Sequence, residues 1–340
     1  MDLTKNLYFK NDVKWALFDS LINKNEDQTI FWLGEYYESG YKNETWQIIY
    51  VFYSCYYAKY YPNIKKNIDR EYKKWLNNQD VKYLLKIIFY IFKLKNKDDE
   101  FYKLFMCKLV KKKKITDKTD KKTIKELESR TNIKMSKKHK DFIKNLTEKH
   151  IQNIWIHILL LDFEKCHKIT KAYFEMSDKK IEDVIYPEVS YPKVQLFLEI
   201  YININEIKRK KKLIIVKKEA IEKYYLYNSN KKGTKTIDIL KEKRVFQIPD
   251  GIMQFDCFRK KFTQEEMRIM YLEDWLYYCR NTPYWKEIFE KYKIIFDTNK
   301  EPIFENENIE DEFYKKYYLD PDEQPNYIHE KSNFTLKIKN

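Results

Sequence analysis

Turn-forming residues are scarce in this chain, which has four glycines and eight prolines in 340 residues. A protein of many β-hairpins needs such residues wherever the chain reverses, whereas long helices joined by polar loops need few of them. Apolar residues also recur at helical spacing, as Val13, Ala16, Leu17 and Leu21 do near the N-terminus. The sequence therefore predicts a mainly α protein.

The same periodicity predicts a series of helices along the chain. A second N-terminal helix carries Ile30, Leu33 and Tyr37, and the polar loop 23–28 separates it from the first. Gly40 stands where a helix C-terminal residue of positive φ is expected. Further helices are expected at 45–61, 64–77, 80–95, 98–112, 136–176 in two pieces, 192–206 and 216–227. Helices in such succession favour a HEAT-like helical array, an α-solenoid.

Two local patterns stand out towards the C-terminus. Residues 263–266 (TQEE) form a capping box, which predicts the start of a helix that carries Leu272, Trp275, Leu276 and Cys279 on one face. Residues 244–258 contain two short apolar runs around Pro-Asp-Gly at 249–251, and this pattern predicts a small β-hairpin.

Shifts in composition predict four segments. We expect an N-terminal helical domain at 1–110, a lysine-rich linker or exposed loop at 111–140, a second helical region at 141–296, and an acidic C-terminal tail with one short helix at 297–340. The tail prediction depends on 11 acidic against 4 basic residues within 297–331.

Several classes of protein are disfavoured by composition. Four scattered glycines provide neither a P-loop nor a dinucleotide-binding fingerprint, and no catalytic motif is visible, so we predict a non-enzymatic protein without a cofactor. The longest apolar stretch, 46–61, has 16 residues and is interrupted by Gln47, Ser54 and Lys59, so no membrane partner is expected. Five widely spaced cysteines predict a reducing compartment.

Positive charge is concentrated in a few stretches of a chain whose net charge is +15. Residues 101–150 hold 17 basic against 6 acidic residues, and residues 208–232 hold 10 against 2. Lysines neutralise phosphates without regard to sequence, so these stretches predict nucleic-acid binding; solvated loops are the alternative. The predicted contact residues are Lys111, Lys112, Lys113, Lys114, Lys208, Arg209, Lys210, Lys211 and Lys212.

Metal binding and acid–base chemistry are not expected. His150, His157, Cys166 and His167 lack the tight pairs, about two to four residues apart, that structural zinc sites show. The acidic loop 320–323 has the pattern of a helix cap and a solvated turn.

A protein-docking segment is suggested by residues 191–197 (YPKVQLF), which have the form Tyr-x-x-x-x-Leu-Φ. This form resembles the short helix by which translation-initiation scaffolds hold a cap-binding factor, and such a peptide binds as an amphipathic helix in a groove. The predicted partner-binding residues are Tyr191, Leu196 and Phe197. A chance match is the alternative in a chain with 30 tyrosines.

Five stretches resemble a set of uncharacterised proteins of nucleocytoplasmic large DNA viruses, the giant viruses. They are 31–41 (FWLGEYYESGY), 46–53 (WQIIYVFY), 274–278 (DWLYY), 283–285 (PYW) and 311–324 (DEFYKKYYLDPDEQ). The resemblance implies a viral gene product of the host cytoplasm and its viral factory, with the virion as a second location, but it implies no catalytic residues.

The sequence supports two hypotheses about function. The first is a non-enzymatic helical scaffold in viral gene expression that binds RNA through its lysines and viral protein partners through aromatic faces. The scaffold of a translation-initiation complex, with a cap-binding factor as partner, is its most specific version. The second is a virion structural or genome-packaging protein that binds DNA.

Overall fold

The computed structural model describes residues 2–95, 97, 121–177, 192–205, 218–228, 235–236, 239–240, 244–248 and 262–318. These residues form 15 α-helices, one π-helix and one two-stranded antiparallel sheet, so the prediction of a mainly α fold is confirmed. None of the helices within these ranges is long and apolar enough to cross a membrane.

The elements follow one another along the chain in a simple order. They are α1 Lys10–Ile22, α2 Glu26–Glu38, α3 Lys42–Tyr56, α4 Ile64–Asn78, α5 Lys82–Phe92, α6 Lys121–Thr131, α7 Lys137–Thr147, α8 Ile151–Leu160, α9 Phe163–Met176, α10 Pro192–Ile204, α11 Lys218–Asn228, α12 Gln264–Arg268, the π-helix Ile269–Glu273, α13 Trp275–Cys279, α14 Pro283–Lys291, β1 Ile295–Phe296, β2 Pro302–Ile303 and α15 Glu307–Tyr317.

The chain divides into two compact units. Unit 1 contains Met1–Ile48 and Lys217–Asn340, and unit 2 contains Ile49–Val216, so unit 2 is inserted into the sequence of unit 1. These bounds differ from the predicted divisions at 110 and 296. A run of consecutive helices need not form one unit when the first of them packs against the last ones of the chain.

The N-terminal segment of unit 1 is held by its C-terminal helices. The amide of Leu3 donates to the carbonyl of Tyr278 at 3.0 Å, and the Thr282 hydroxyl donates to the carbonyl of Leu3 at 2.6 Å. The indole Nε1 of Trp285 donates to the carbonyl of Thr4 at 3.2 Å. These bonds fix the N-terminal segment to residues 278–285.

Aromatic side chains fill the core of unit 1. Trp275, Trp285, Phe289, Phe313 and Tyr317 are buried together, and the rings of Phe313 and Tyr317 lie 5.1 Å apart. Because Phe313 and Tyr317 belong to α15, the predicted acidic tail is part of this core up to residue 318. The short helix expected there is present, and its acidic residue Glu312 accepts a hydrogen bond from the hydroxyl of Tyr292 at 3.2 Å.

Gly40 has the backbone conformation that its position after α2 predicts. Its φ is +96°, and a Cβ at this position would lie 2.4 Å from the Cβ of Pro283. Two features therefore require glycine at position 40, the left-handed backbone and the close approach of α14.

Unit 2 contains the helices α4 to α10. The predicted helical region 136–176 divides into three helices rather than two. Lys149, between α7 and α8, has a φ of +58°, and the Asp162 side chain accepts from the amide of Lys165 to cap α9. Both sites stop a helix locally, which apolar periodicity alone does not reveal.

Neither the predicted β-hairpin at 244–258 nor the predicted solenoid is confirmed by the structure. The two-stranded sheet pairs Ile295 with Ile303, whereas Arg244–Ile248 carries no strand, and the rest of the predicted hairpin lies outside the described residues. Helix α2 packs against both α1 and the distant α11, although solenoid repeats contact mainly their sequence neighbours. The solenoid arrangement is not confirmed and stays a prediction.

Candidate nucleic-acid interface

The net positive charge of the chain lies in unit 2. The sequence range of this unit holds 39 lysine and arginine residues against 21 aspartate and glutamate, a net of +18. The two ranges of unit 1 hold 28 against 31, a net of −3. A polyanion is therefore attracted to unit 2 rather than to the protein as a whole.

Helix α4 presents a basic row on its exposed side. Lys66, Arg70 and Lys73 are exposed, and their spacing of four and three residues places them on one helical face. At 1.5 Å per residue the row is about 10 Å long. Phosphates of one duplex DNA strand are spaced about 3.4 Å apart along the axis, so the row can meet several of them.

The opposite side of α4 is apolar and packs into unit 2. Ile64, Ile68, Tyr72 and Trp75 are buried, and the stacked rings of Tyr72 and Trp75 lie 5.6 Å apart. The helix is thus fixed by one face while the other faces solvent.

Both acidic residues of α4 point inward. The Asp69 carboxylate lies 2.9 Å from the Lys65 ammonium and accepts a hydrogen bond from the Tyr50 hydroxyl at 2.6 Å. Burial, followed by the neighbouring Asp69, raises the pKa of Tyr50 above its usual range, so the phenol stays a neutral donor. This pair is neutral overall and contributes no negative charge to the surface.

Glu71 is the second buried acid, and three cations surround it. Its side chain is 1% exposed, and its oxygens lie 3.4 Å from Arg70 Nε, 3.3 Å from Lys74 Nζ and 3.2 Å from Lys86 Nζ. Burial opposes its ionisation, but hydrogen bonds from Lys86 and Lys74 outweigh burial and lower its pKa. One carboxylate beside three cations leaves a surplus of positive charge at this point of the surface.

Arg70 connects the buried acid with the exposed row. Its Nη2 donates to Asn67 Oδ1 at 3.0 Å while its Nε faces Glu71, and its side chain is 57% exposed. These two contacts orient the guanidinium before any ligand binds, which lowers the entropy lost on binding.

A second basic group lies around the start of α7. Lys134, Lys137, Lys138 and Lys140 are exposed, and within the described parts of the chain no carboxylate pairs with them. By contrast, the exposed Lys165 at the start of α9 lies 3.3 Å from Asp162. The predicted linker 111–140 therefore includes helical structure from residue 121 onwards, with lysines at its turn.

An exposed aromatic side chain precedes α4. Tyr60 is 39% exposed, and the Lys59 ammonium lies 5.8 Å from its ring centroid. An aromatic ring beside cations is the arrangement that stacks unpaired bases. By contrast, Tyr224, which lies within the basic stretch 208–232, is buried in unit 1, where its hydroxyl donates to Glu38.

The residues predicted from the sequence have different positions in the structure. Lys111 to Lys114, Lys208 to Lys212 and Tyr191 lie outside the described residues. Leu196 and Phe197 are fully buried in α10, and the ring of Phe197 lies 4.9 Å from that of Trp155. These two side chains would have to leave the interior of unit 2 to bind a groove in a partner.

The metal candidates do not come together in the described part of the chain. Cys166 is buried and His150 is exposed, and no group of three or more metal-ligating side chains occurs among the residues described.

The basic row on α4 could not be predicted from runs of consecutive lysines, because its cations are four and three residues apart. The signal that would have found it is the spacing of Lys66, Arg70 and Lys73 on a helix whose acids lie on the buried face. Comparison of the chain with protein-family models, with curated protein sequences and with solved structures found no match.

Proposed function

We propose that the protein is a non-enzymatic helical scaffold that binds RNA through the basic surface of unit 2. The observation that carries the proposal is the separation of charge, +18 in unit 2 against −3 in unit 1, together with the exposed row Lys66, Arg70 and Lys73. Binding of this kind depends on the phosphate backbone and has little sequence preference.

Single-stranded RNA is favoured over duplex DNA as the ligand. Tyr60 offers an accessible ring close in sequence to the basic row, and stacking on such a ring requires unpaired bases. The setting in viral gene expression is supported by the resemblance of five stretches to proteins of giant viruses. Packaging of viral DNA is the competing function, and it requires tight binding to duplexes.

The test measures RNA affinity at several salt concentrations. We expect the full chain to bind a fluorescent 20-nucleotide RNA of mixed sequence, with an affinity that falls steeply as KCl increases. Changing Lys66, Arg70 and Lys73 together to serine should reduce the slope of log K against log salt by about 2, since each contact with a single strand contributes roughly 0.7.

A matched control removes the same charge from unit 1. Lys286, Lys291 and Lys293 are exposed there, and their replacement by serine should leave the slope unchanged. Equal loss in both variants would show that net charge alone attracts RNA. Duplex DNA bound more tightly than RNA by wild type would favour packaging, and absence of RNA binding at low salt would refute the proposal.

The lysine runs predicted from the sequence can be tested in the same assay. Replacement of Lys111, Lys112, Lys113 and Lys114 by serine reports whether this run extends the surface of unit 2. An effect that adds to that of the α4 variant would indicate one continuous binding path.

A further inference from the structure

Arg244 is a buried arginine of unit 1 held between two tyrosine rings. The residue is 7% exposed, and its Cζ lies 4.2 Å from the ring centroid of Tyr8 and 5.4 Å from that of Tyr271. Both distances are within the range of a cation–π interaction. Two aromatic rings thus lie against the guanidinium.

Two of the three guanidinium nitrogens of Arg244 lack a hydrogen-bond acceptor among the described residues. Its Nε and Nη1 form no hydrogen bond, and no carboxylate lies within ion-pair distance of it, in the part of the chain that the structure describes. The buried carboxylate of Glu35, which also lies in unit 1, is held elsewhere. It accepts from the amide of Asn6 at 2.8 Å and from the Asn6 side chain.

The two tyrosines do not provide the missing negative charge. The hydroxyl of Tyr8 donates to the carbonyl of Phe246 at 2.7 Å. Burial raises the pKa of Tyr8 and that of Tyr271, and it outweighs the opposing effect of Arg244, so both phenols are neutral at physiological pH.

A guanidinium stays charged at any physiological pH, and a buried charge without a counter-charge is strongly unfavourable. Two tyrosine faces compensate for only part of this cost. Such an arginine is suited to bind an anion, because its planar N–H donors fit the oxygens of carboxylates and phosphates.

We propose that Arg244, with the rings of Tyr8 and Tyr271 beside it, is the binding site for an oxyanion, the carboxylate or phosphate group of a small ligand. The adjoining Val245 is 53% exposed, so the site lies close to the surface of unit 1. The site is separate in sequence and in unit from the basic row of α4, and the proposal does not depend on RNA binding.

Direct observation of the guanidinium tests the proposal. The chain has seven arginines, so labelling them with ¹⁵N gives a simple spectrum of Nε–Hε signals, in which the Arg244→Lys variant identifies Arg244. Potassium phosphate or potassium acetate is titrated into the full chain at constant ionic strength, balanced with KCl. We expect a saturable shift of the Arg244 signal, and the more effective anion shows whether phosphate or carboxylate is preferred.

A second measurement compares thermal stability in the same anions. Wild type should gain several degrees in Tm on saturation, and Arg244→Gln should lose this gain. Arg280→Gln is the matched control, since Arg280 also lies over a tyrosine, 3.4 Å from the ring centroid of Tyr277, but is bonded to the carbonyl of that residue. This variant should keep the gain.

Two results would overturn the proposal. One is an Arg244 signal that stays unchanged up to about 50 mM of either anion, which is weaker than the affinities of dedicated sites. The other is an equal, unsaturated shift of all seven arginine signals, which indicates general screening. If Arg244→Gln does not fold, the titration of the wild-type signal still decides between these outcomes.

Discussion

Replacing the buried Glu71 by glutamine should weaken the packing of α4 on α5 without weakening RNA binding. In the wild type the carboxylate accepts from Lys74 of its own helix and from Lys86 of α5. Glutamine keeps the shape but removes the charge, so both bonds lose their ionic component and the cations repel one another. The exposed row Lys66, Arg70 and Lys73 remains, and the local positive charge increases by one.

The magnitude follows from the exposure of the two lysines. A hydrogen bond to a charged group contributes roughly 1.5–3 kcal/mol. The Lys74 side chain is 49% exposed and can turn to water, so its loss costs little. The Lys86 side chain is 29% exposed and is the more constrained of the two. We therefore expect the free energy of opening of α4 and α5 to fall by about 2 kcal/mol, with Lys86 responsible for most of it.

Hydrogen exchange read by mass spectrometry measures this change locally, which suits a chain of two units better than a global unfolding curve. About 2 kcal/mol corresponds to roughly 30-fold faster exchange in the peptides of both helices. Glu290→Gln is the control, because Glu290 is 66% exposed and its ion pair with Lys286, at 3.7 Å, lies on the surface. It should change protection by less than about 0.5 kcal/mol.

The pH dependence gives an independent check with a fixed sign. Since the pKa of Glu71 is lowered in the folded protein, its stabilising effect is complete above the ordinary glutamate pKa and declines as pH falls through the lower value. Wild type and Glu71→Gln should therefore converge as the pH falls through this lowered pKa. Equal protection of the two proteins at pH 7, or RNA affinity that falls in the variant, would refute the reasoning.

Three further predictions concern other parts of the fold. Gly40→Ala should destabilise unit 1 by about 1–2 kcal/mol or more, seen as faster hydrogen exchange in α2 and α14, because the left-handed backbone has that cost and the new Cβ meets Pro283; unchanged exchange would contradict the stated φ. Trp285→Phe should lose about 0.5–1.5 kcal/mol, because the buried carbonyl of Thr4 loses one of its two donors and keeps the Leu7 amide at 3.0 Å; faster exchange at the N-terminal amides is the signature. Burial raises the pKa of the Cys166 thiol to about 12, so iodoacetamide at pH 8 should label it far more slowly in the native protein than in urea.

The order and type of the helices were readable because apolar periodicity reports directly which face of a segment is buried. The loop 23–28 is an example, since α1 ends at Ile22 and the Asn25 side chain caps α2 through the amide of Gln28. The capping box at Thr263 is also confirmed, but the single helix expected after it is interrupted by the π-helix Ile269–Glu273. A π-turn inserts one residue per turn without changing the composition, so periodicity gives no sign of it.

The division into units was harder to predict, because it depends on contacts between distant segments. Nothing in the sequence around Leu3 indicates that its amide bonds to Tyr278, or that Thr282 donates back to it. The basic stretch 208–232 shows the consequence, since the boundary after Val216 assigns its first part to unit 2 and the remainder to unit 1. The net charge counted over a stretch that crosses such a boundary therefore combines residues of two different units.

Arg244 shows that the burial of a charge cannot be predicted from composition. In the sequence it is the last residue of the charged run 241–244 (KEKR). Its importance becomes visible only in the structure, where the rings of Tyr8, 236 positions earlier, and Tyr271 lie against it and no carboxylate of the described residues forms an ion pair with it. Only three-dimensional contacts can show that a charge is buried without a partner.

The charge of the surface that meets a ligand, and not that of the chain, decides how strongly a polyanion binds. At physiological ionic strength charges act over about 8 Å, so a phosphate at Arg70 responds to Lys66, Lys73 and their neighbours and hardly to distant acids. The net charge of the chain, +15, is therefore lower than that of unit 2 and opposite in sign to that of unit 1, which is −3. Because Asp69 and Glu71 are neutralised inside by lysines, α4 keeps its apolar packing and an exposed face of one sign. Replacing these two acids by neutral residues should therefore affect folding before it affects RNA affinity, whereas replacing the row should do the reverse.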